Sequence, residues 1–305
     1  MTRSRCKFRF KRVTLSVVEG SNHIILRLRI YFTMYTLDDL QNDLDILASQ
    51  GAEIFDIGYT LLGRPIPCIF KGSKTGGQTL LHASIHAREW VTTPLVIEMM
   101  KNYNGGYGVW CVPMVNIDGV LLVQQGLSSI PDQSLKDFLL NVNGGSQDFS
   151  LWKANARAVD LNVNYNARFG EGAQNVFSPA PGNYVGQHPF SEYENIALRD
   201  LTERVMPSVT LSYHAKGGVI YKGFGCVDPN LDCAERISNS TGYPLLNSYN
   251  SAGGYKDWYV TTFQKLGLTI EVGDESVPYN ELINYLPQMY EQNKDVLTIA
   301  TQCAQ

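Results

Sequence analysis

From residue 36 onward, the spacing of apolar positions changes repeatedly between a helical and a strand period. Leu37, Leu40, Leu44 and Leu47 recur at three- and four-residue steps, which predicts a helix with one buried face. Short apolar runs of strand length follow it, separated by further helical stretches. This alternation predicts an α/β fold, a mixed central β-sheet flanked by helices. We expect strands at residues 54–59, 65–71, 79–85, 109–115, 209–213, 219–221 and 268–272.

The remaining chain divides into predicted helices and one long loop region. Residues 119–190 are rich in Gly, Asn, Ser and Pro, a composition typical of long functional loops. No repeat and no low-complexity linker occurs after Met34, so we expect residues 34–305 to form a single catalytic domain. The helical pattern covers residues 36–49, 90–103, 191–205, 228–239, 254–263 and 279–301.

The first 33 residues differ from the rest of the chain in charge. They contain eight Lys or Arg residues and a single acidic residue, Glu19. The apolar run at 24–32 is interrupted by two arginines, unlike the apolar centre of a signal peptide. Thr36 is a favourable N-cap residue, and two acidic residues follow it in the first turn of the predicted helix. We therefore expect the fold to begin near Met34 and residues 1–33 to form a basic tail outside it.

Composition excludes some classes of partner. The chain is 44% hydrophobic and 18% charged, as in ordinary soluble globular proteins. After residue 33 it carries 17 basic and 28 acidic side chains, a balance that would repel nucleic acid phosphates. No apolar stretch approaches the length that crosses a bilayer. We expect neither a nucleic acid nor a membrane as a partner.

The six cysteines are scattered along the chain and form no CxxC pair. Such spacing is unlike the dense disulfide framework of small secreted domains. It predicts reduced thiols in a cytoplasmic protein. The alternative is a loop disulfide between Cys226 and Cys233, which lie close together in sequence.

Three residues have the chemistry and position of a metal site. His86 and Glu89 lie three residues apart where a predicted strand gives way to a helix, and His214 ends the predicted strand 209–213. A catalytic zinc ion takes three ligands of this kind and leaves a fourth position for water. The short HxxE pattern is weak evidence alone, because a histidine at a strand end is usually structural. We assign His82 to that structural class.

Further motifs accompany these residues. Asn116-Ile-Asp-Gly119 follows one strand, Trp-Lys-Ala-Asn-Ala-Arg-Ala-Val-Asp-Leu-Asn covers 152–162, and a tyrosine precedes Gly-Gly-Tyr-Lys-Asp-Trp at 253–258. Glu271 lies in the last predicted strand. Over about residues 36–300, the chain resembles the zinc carboxypeptidase family, with these motifs in the family's order. The resemblance implies a zinc carboxypeptidase-like fold, one zinc ion and a peptide substrate.

The resemblance also implies roles for individual residues. Glu271 matches the family's general base, which takes a proton from the zinc-bound water and passes it to the leaving nitrogen. Lys153 stands where the family has an arginine that holds the oxyanion, and Arg157 is the alternative cation. Either could instead be a solvated loop cation. Tyr249 matches a mobile tyrosine that closes over the substrate.

The substrate side departs from the family. Asn162 is present, but Val163 replaces the arginine that clamps a C-terminal carboxylate, a loss of about 2 to 5 kcal/mol in recognition. Lys256 occupies the family's specificity position and suits a leaving residue with a carboxylate. Arg88 lies beside the metal ligands. These features favour the bacterial branch of γ-D-glutamyl-meso-diaminopimelate peptidases, acting in the cytoplasm on recycled cell-wall muropeptides.

Two other functions stay open at this point. One is a metallocarboxypeptidase that releases acidic residues from ordinary C-termini, with Lys256 as the specificity cation. The other is a non-catalytic relative that binds a peptide. A binding protein has no need of a general base, so the presence of Glu271 favours an enzyme.

Overall fold

The computed structural model describes the backbone of residues 12–18 and 25–31, and backbone and side chains of residues 34–224, 231–247 and 251–304. The strands are β1 (Arg12–Val18), β2 (Ile25–Tyr31), β3 (Glu53–Tyr59), β4 (Pro65–Lys71), β5 (Ser73–Ala83), β6 (Tyr107–Val112), β7 (Val209–Ala215), β8 (Val219–Lys222), β9 (Leu245–Asn247) and β10 (Leu266–Val272).

The helices of the described residues surround the larger sheet. They are α1 (Leu37–Ser49), α2 (Thr92–Asn102), α3 (Ile117–Gln125), α4 (Gln133–Val142), α5 (Tyr193–Val205), α6 (Leu231–Thr241), α7 (Tyr255–Phe263), α8 (Leu286–Asn293) and α9 (Val296–Cys303). Four short 3₁₀ helices join them, at Ala87–Glu89, Gly126–Ser129, Leu161–Val163 and Tyr279–Tyr285.

Eight strands form one mixed sheet, in the order β3-β4-β6-β5-β7-β10-β8-β9. Its centre is parallel, because β5 pairs in parallel with β6 and β7, and β7 pairs in parallel with β10. The strands towards both edges include antiparallel pairs. The predicted α/β architecture with a mixed central sheet is therefore confirmed.

The central strands are covered on both faces. All seven residues of β7 are buried, as expected of a parallel strand between two layers of helices. On α1, Leu40, Leu44 and Leu47 face the core. Its N-terminus is a capping box, in which Thr36 and Asp39 each accept from the other's backbone amide.

β1 and β2 pair with each other in a separate antiparallel sheet. The expectation that residues 1–33 lie outside the catalytic domain stays a prediction. Among the described residues, no helix has the length and apolarity that crossing a membrane requires.

Two sequence predictions about secondary structure were wrong. The segment 119–190 is not all loop, because it contains most of α3 and all of α4, whose Leu139 is buried. The predicted helix 279–301 divides into a 3₁₀ helix, α8 and α9. Pro287 lies in the first turn of α8. Proline is accepted in the first turn of a helix, where its missing amide proton is not needed, but it interrupts a helix that begins further upstream.

The prediction that all cysteines are reduced was also wrong. Cys233 on α6 and Cys303 on α9 form a disulfide, with Cα atoms 5.9 Å apart. Cys68 and Cys111 are buried free thiols. Cys226, the partner in the alternative disulfide, lies outside the described residues, but its proposed partner is engaged elsewhere.

Candidate metal centre and active site

Three neighbouring parallel strands deliver the predicted catalytic residues to one edge of the sheet. β5 ends at Ala83, three residues before His86. His214 and Glu271 are the penultimate residues of β7 and β10 and stand directly opposite each other in the register of the two strands. Side chains at paired positions of parallel strands lie on the same face. The sheet thus fixes His214 and Glu271 directly and leads, through the end of β5, to the turn that carries His86.

The chain turns sharply between β5 and the metal ligands. Ser84 has a positive φ of 49°, and its hydroxyl lies 2.7 Å from that of Thr93. His86 then caps the 3₁₀ helix Ala87–Glu89, so that Glu89 returns to the same side as His86. The Thr92 hydroxyl donates to the Glu89 carbonyl at 2.8 Å. This local network holds the HxxE pair in place.

The Asn116 side chain forms hydrogen bonds to the same turn. The amide of Asn116 donates to the carbonyls of Ile85 and Ala154, at 3.2 and 3.1 Å. Its oxygen accepts from the amide of Gly119 and so caps α3. The motif therefore joins the turn that carries His86 to the segment that carries Lys153.

The ligand atoms of His86, Glu89 and His214 converge within 4.8 Å of one another. Nδ1 of His86 lies 2.8 Å from Oε1 of Glu89, and Nδ1 of His214 lies 3.0 Å from Oε2. The two Nδ1 atoms are 3.1 Å apart, close to the value of about 3.3 Å that a tetrahedral zinc ion with ordinary Zn–N distances would give. All three residues are at least 95% buried.

This donor set fits zinc. Two imidazole nitrogens and one carboxylate are the ligands of catalytic zinc sites, and the two Nδ1 atoms already face each other and the same carboxylate. The backbone amide of Ala215 donates to Oε2 of Glu89 at 3.2 Å, which fixes the carboxylate's orientation. The predicted ligand set is confirmed as a metal site for one zinc ion.

Asp160 links the metal site to the nearest cation. Its Oδ1 lies 3.2 Å from Nε2 of His86, and its Oδ2 lies 2.7 Å from Nζ of Lys153. Burial alone would raise the pKa of Asp160, but the positive charges of Lys153 and His86 outweigh it and hold the pKa well below its ordinary value. A permanently charged Asp160 can orient the ring of His86 towards the metal.

The pKa of Glu271 is set by burial and by the charged residues around the metal site. Burial raises the pKa of Glu271 to about 7, and the nearby charge of Glu89 acts in the same direction, whereas His214 and Lys153 oppose it. Glu271 also stands directly opposite the metal ligand His214 in the register of β10 and β7. This position beside the metal site is the one that the predicted general base requires.

The two predicted oxyanion cations lie in different surroundings. Lys153 is next to Asp160 and interacts with His86 and Glu271. Arg157 instead has its Nε 3.8 Å from a carboxylate oxygen of Glu192, beside a groove of about 300 Å³. The position of Lys153 beside the metal ligands favours it as the oxyanion cation.

The predicted substrate-binding residues have structural partners of their own. The side-chain oxygen of Asn162 accepts from the amide of Tyr255 at 3.1 Å, at the start of α7. Lys256 is buried, and its Nζ lies 2.8 and 2.9 Å from the two carboxylate oxygens of Asp257. The charge of Lys256 is therefore balanced within the chain. Tyr249 lies outside the described residues, so its predicted role stays a prediction.

Sequence reasoning missed three residues near the metal. Asp160 stands two residues before Asn162 in a motif already singled out, and Lys216 stands two residues after His214. Tyr279 begins the 3₁₀ helix after β10 and contacts both Lys216 and Arg88. His82, by contrast, is structural as predicted, since its Nε2 lies 2.8 Å from the buried hydroxyl of Ser212.

Residues 38–242 match the sequence model of the zinc carboxypeptidases, Peptidase M14. The chain belongs to the zinc carboxypeptidase family. It is 36% identical over 245 residues to γ-D-glutamyl-L-diamino acid endopeptidase 1 of Lysinibacillus sphaericus, covering 73% of this chain and 61% of the relative. It is 26% identical over 276 residues to mouse carboxypeptidase A2, covering 79% of this chain and 62% of that one.

A solved structure of another protein shows the same fold as this family member. Bovine thrombin-activatable fibrinolysis inhibitor, solved with a tick carboxypeptidase inhibitor, superposes with a TM-score of 0.70 at 16% identity, over 90% of this chain and 98% of the other. The chain spans 61% and 62% of the lengths of the two curated relatives.

Proposed function

We propose that this protein hydrolyses the amide bond between a γ-D-glutamyl residue and meso-diaminopimelate in peptidoglycan stem peptides. The observation that carries the peptidase activity is the metal site of His86, Glu89 and His214 with Glu271 on the adjacent strand position. The 36% identity to a γ-D-glutamyl-L-diamino acid endopeptidase supports the substrate class.

The chemistry follows from the positions of these side chains. His86, Glu89 and His214 would hold a zinc ion, which would supply an activated water with a pKa of about 7 and a Lewis acid for the scissile carbonyl. Glu271 takes the proton of the attacking water and delivers it to the departing nitrogen. The ammonium of Lys153 stabilises the negative charge that develops on the carbonyl oxygen. Asp160 holds His86 and Lys153 in one orientation.

The residues at the family's substrate-binding positions favour a peptide without an ordinary C-terminus. Val163 replaces the cation that would clamp an ordinary terminal carboxylate. Lys256 is neutralised by Asp257, which weakens the case for a simple preference for acidic C-terminal residues. Both observations favour a substrate other than the ordinary C-terminus of a protein.

The test is an assay of the zinc-loaded protein on three peptides. They are L-Ala-γ-D-Glu-meso-diaminopimelate, its isomer with an α-linked L-glutamate, and a peptide with an ordinary acidic C-terminus, with products separated by mass. We expect release of diaminopimelate from the first peptide. Cleavage of the third peptide alone would instead support a metallocarboxypeptidase for acidic C-termini, and cleavage of none would support a binding protein.

A further inference from the structure

Two cations from different parts of the chain converge on the ring of Tyr279. The guanidinium carbon of Arg88 lies 4.7 Å from the ring centroid, and Nζ of Lys216 lies 5.2 Å from it. Arg88 directly precedes the metal ligand Glu89, and Lys216 follows the metal ligand His214 by two residues. The cluster of Arg88, Lys216 and Tyr279 therefore borders the metal centre.

Arg88 and Lys216 differ from Lys153 and Lys256 in their partners. Across residues 34–224, 231–247 and 251–304, no carboxylate lies within ion-pair distance of Arg88 or Lys216. This contrasts with Lys153 and Lys256, each of which contacts an aspartate. Two like charges that face one ring repel each other, so an anion between them would be stabilised.

The donors of the cluster are only partly used. Nζ of Lys216 donates to the carbonyls of Glu275 and Val277, which leaves one of its three protons. Arg88 donates from Nη1 to the Leu151 carbonyl at 3.3 Å, while its Nε is buried without a partner. Because Nε is enclosed, a ligand would accept hydrogen bonds from the remaining N–H groups of the Arg88 guanidinium and from the third proton of Lys216.

The cluster borders the metal through the 3₁₀ helix Ala87–Glu89, whereas the specificity position of Lys256 lies on α7. The 3₁₀ helix that begins with Tyr279 packs against the 3₁₀ helix Ala87–Glu89, which carries Arg88 and the metal ligand Glu89. Lys256 belongs to α7, whose first amide is bound by Asn162 instead. If the leaving residue occupies the α7 side, the residue that supplies the scissile carbonyl lies against the cluster.

We propose that Arg88 and Lys216, held by Tyr279, bind the free α-carboxylate of the γ-D-glutamyl residue. This inference rests on the proposed function. In a γ-linked peptide the scissile carbonyl belongs to the side chain, so the residue that carries it keeps an unblocked α-carboxylate. In an α-linked peptide that carboxylate is consumed by the peptide bond. Two cations beside the scissile carbonyl would therefore distinguish γ-linked from α-linked substrates.

The experiment compares two γ-linked peptides that differ only at this carboxylate. One is L-Ala-γ-D-Glu-meso-diaminopimelate, and the other carries D-isoglutamine, in which the α-carboxylate is amidated. We expect the wild type to prefer the acid, and we expect the acid-to-amide ratio of kcat/KM to fall about tenfold in Lys216→Met, as for the loss of one charged hydrogen bond. Arg88→Met should lower the ratio in the same direction.

Three controls make the result specific. Lys216→Arg keeps the charge and should retain most of the preference. Lys294→Met removes a cation that directly follows α8 and is paired with Glu291, and should leave both rates unchanged. Zinc content and melting temperature show whether each variant is folded.

An acid-to-amide ratio that is unchanged in both Lys216→Met and Arg88→Met, with zinc retained, would overturn this inference and leave the proposed function intact. If the wild type cuts neither γ-linked peptide but does cut an α-linked one, the proposed function fails, and this inference fails with it.

Discussion

Glu271 and His214 occupy directly opposed positions on the neighbouring parallel strands β10 and β7. One of them is a metal ligand and the other is the proposed base, so the register of the two strands sets the distance between metal and base. A slip of one residue would turn one of the side chains to the opposite face of the sheet. The mechanism therefore depends on the strand pairing as much as on the residues themselves.

Glu271→Gln tests the proposed base. The amide cannot accept the proton of the attacking water, so we expect kcat to fall by about 10² to 10⁴ while one zinc ion stays bound. The measurement is kcat on the γ-linked tripeptide together with metal analysis of the same sample. Glu281→Gln, at an exposed position, is the control. Activity close to wild type in Glu271→Gln would rule out the assigned role.

Lys153→Met and Arg157→Met decide between the two predicted oxyanion cations. Because Lys153 lies beside Asp160 whereas Arg157 faces Glu192, we expect kcat to fall by about 10² to 10³ in Lys153→Met. Arg157→Met should change kcat far less, and Lys153→Arg should recover part of the loss. The opposite order of effects would assign the oxyanion to Arg157.

Asp160→Asn tests the support of the metal site. Without the charge that orients His86, we expect zinc affinity to fall by about 10- to 100-fold, measured by competition with a chelator. The Asp160 carboxylate also accepts hydrogen bonds from the backbone amides of Asn162 and Asn183. The melting temperature of the metal-free variant is therefore measured as well, to show whether the fold is retained. Asp148→Asn, at an exposed site, provides the comparison. Equal zinc affinity in both variants would contradict the role given to Asp160.

Glu194 makes stability depend on pH. Its side chain is buried, one of its oxygens lacks a partner, and burial raises its pKa from 4.5 to about 8. The folded state thus holds the proton more tightly than the unfolded state, so this contribution to stability is complete below about pH 4.5 and is lost as pH rises through about 8.

Glu194→Gln removes that titration. We expect the variant to be more stable than the wild type at pH 9, by on the order of 1 to 3 kcal/mol, and to gain less or nothing at pH 5. Urea unfolding at both pH values measures the difference. Glu203→Gln, exposed on the same helix α5, should show no such pH dependence. A gain of equal size at both pH values would mean that protonation of Glu194 is not its cause.

The disulfide between Cys233 and Cys303 should contribute to stability by constraining the unfolded chain. For a loop of 70 residues the chain-entropy relation gives about 4 kcal/mol. We expect reduction to lower the free energy of unfolding of the wild type by up to that amount and to leave a Cys233→Ser/Cys303→Ser variant unchanged. Equal stability before and after reduction would argue against the bond.

The same disulfide provides a test of the cytoplasmic location, which stays a prediction. Reducing compartments keep cysteine thiols unpaired. If the protein is cytoplasmic, Cys233 and Cys303 should therefore be free thiols in the cell. Alkylation in intact cells followed by peptide mass mapping measures their state. Recovery of the linked peptide would point to an oxidising compartment.

Local sequence patterns predicted the regular elements of the fold well. The bounds of β4 agree fully with the predicted strand 65–71, and α1 begins after Thr36 as its capping pattern indicates. The metal ligands were also predictable, because the HxxE spacing and a histidine at a strand end occur together with further motifs that resemble those of the zinc carboxypeptidase family. Each motif is a short local pattern, although the ligands themselves lie up to 128 positions apart in the sequence.

Other features depend on which distant segments meet in space. The Lys256–Asp257 pair uses neighbouring residues, yet only the fold shows that both are buried and face each other. The pairing of Cys233 with Cys303 requires α6 and α9 to be neighbours. The cluster at Tyr279 combines residues from three separate segments of the chain. No periodicity in the sequence carries that information.

The disulfide also has a topological consequence. Every peptide bond between residues 233 and 303 lies inside a closed covalent loop, and this loop carries Glu271, Tyr279 and Lys256. A protease that nicks the chain once within the loop would not release either fragment. The nicked molecule would keep its base and metal ligands tethered and would separate into two pieces only after reduction.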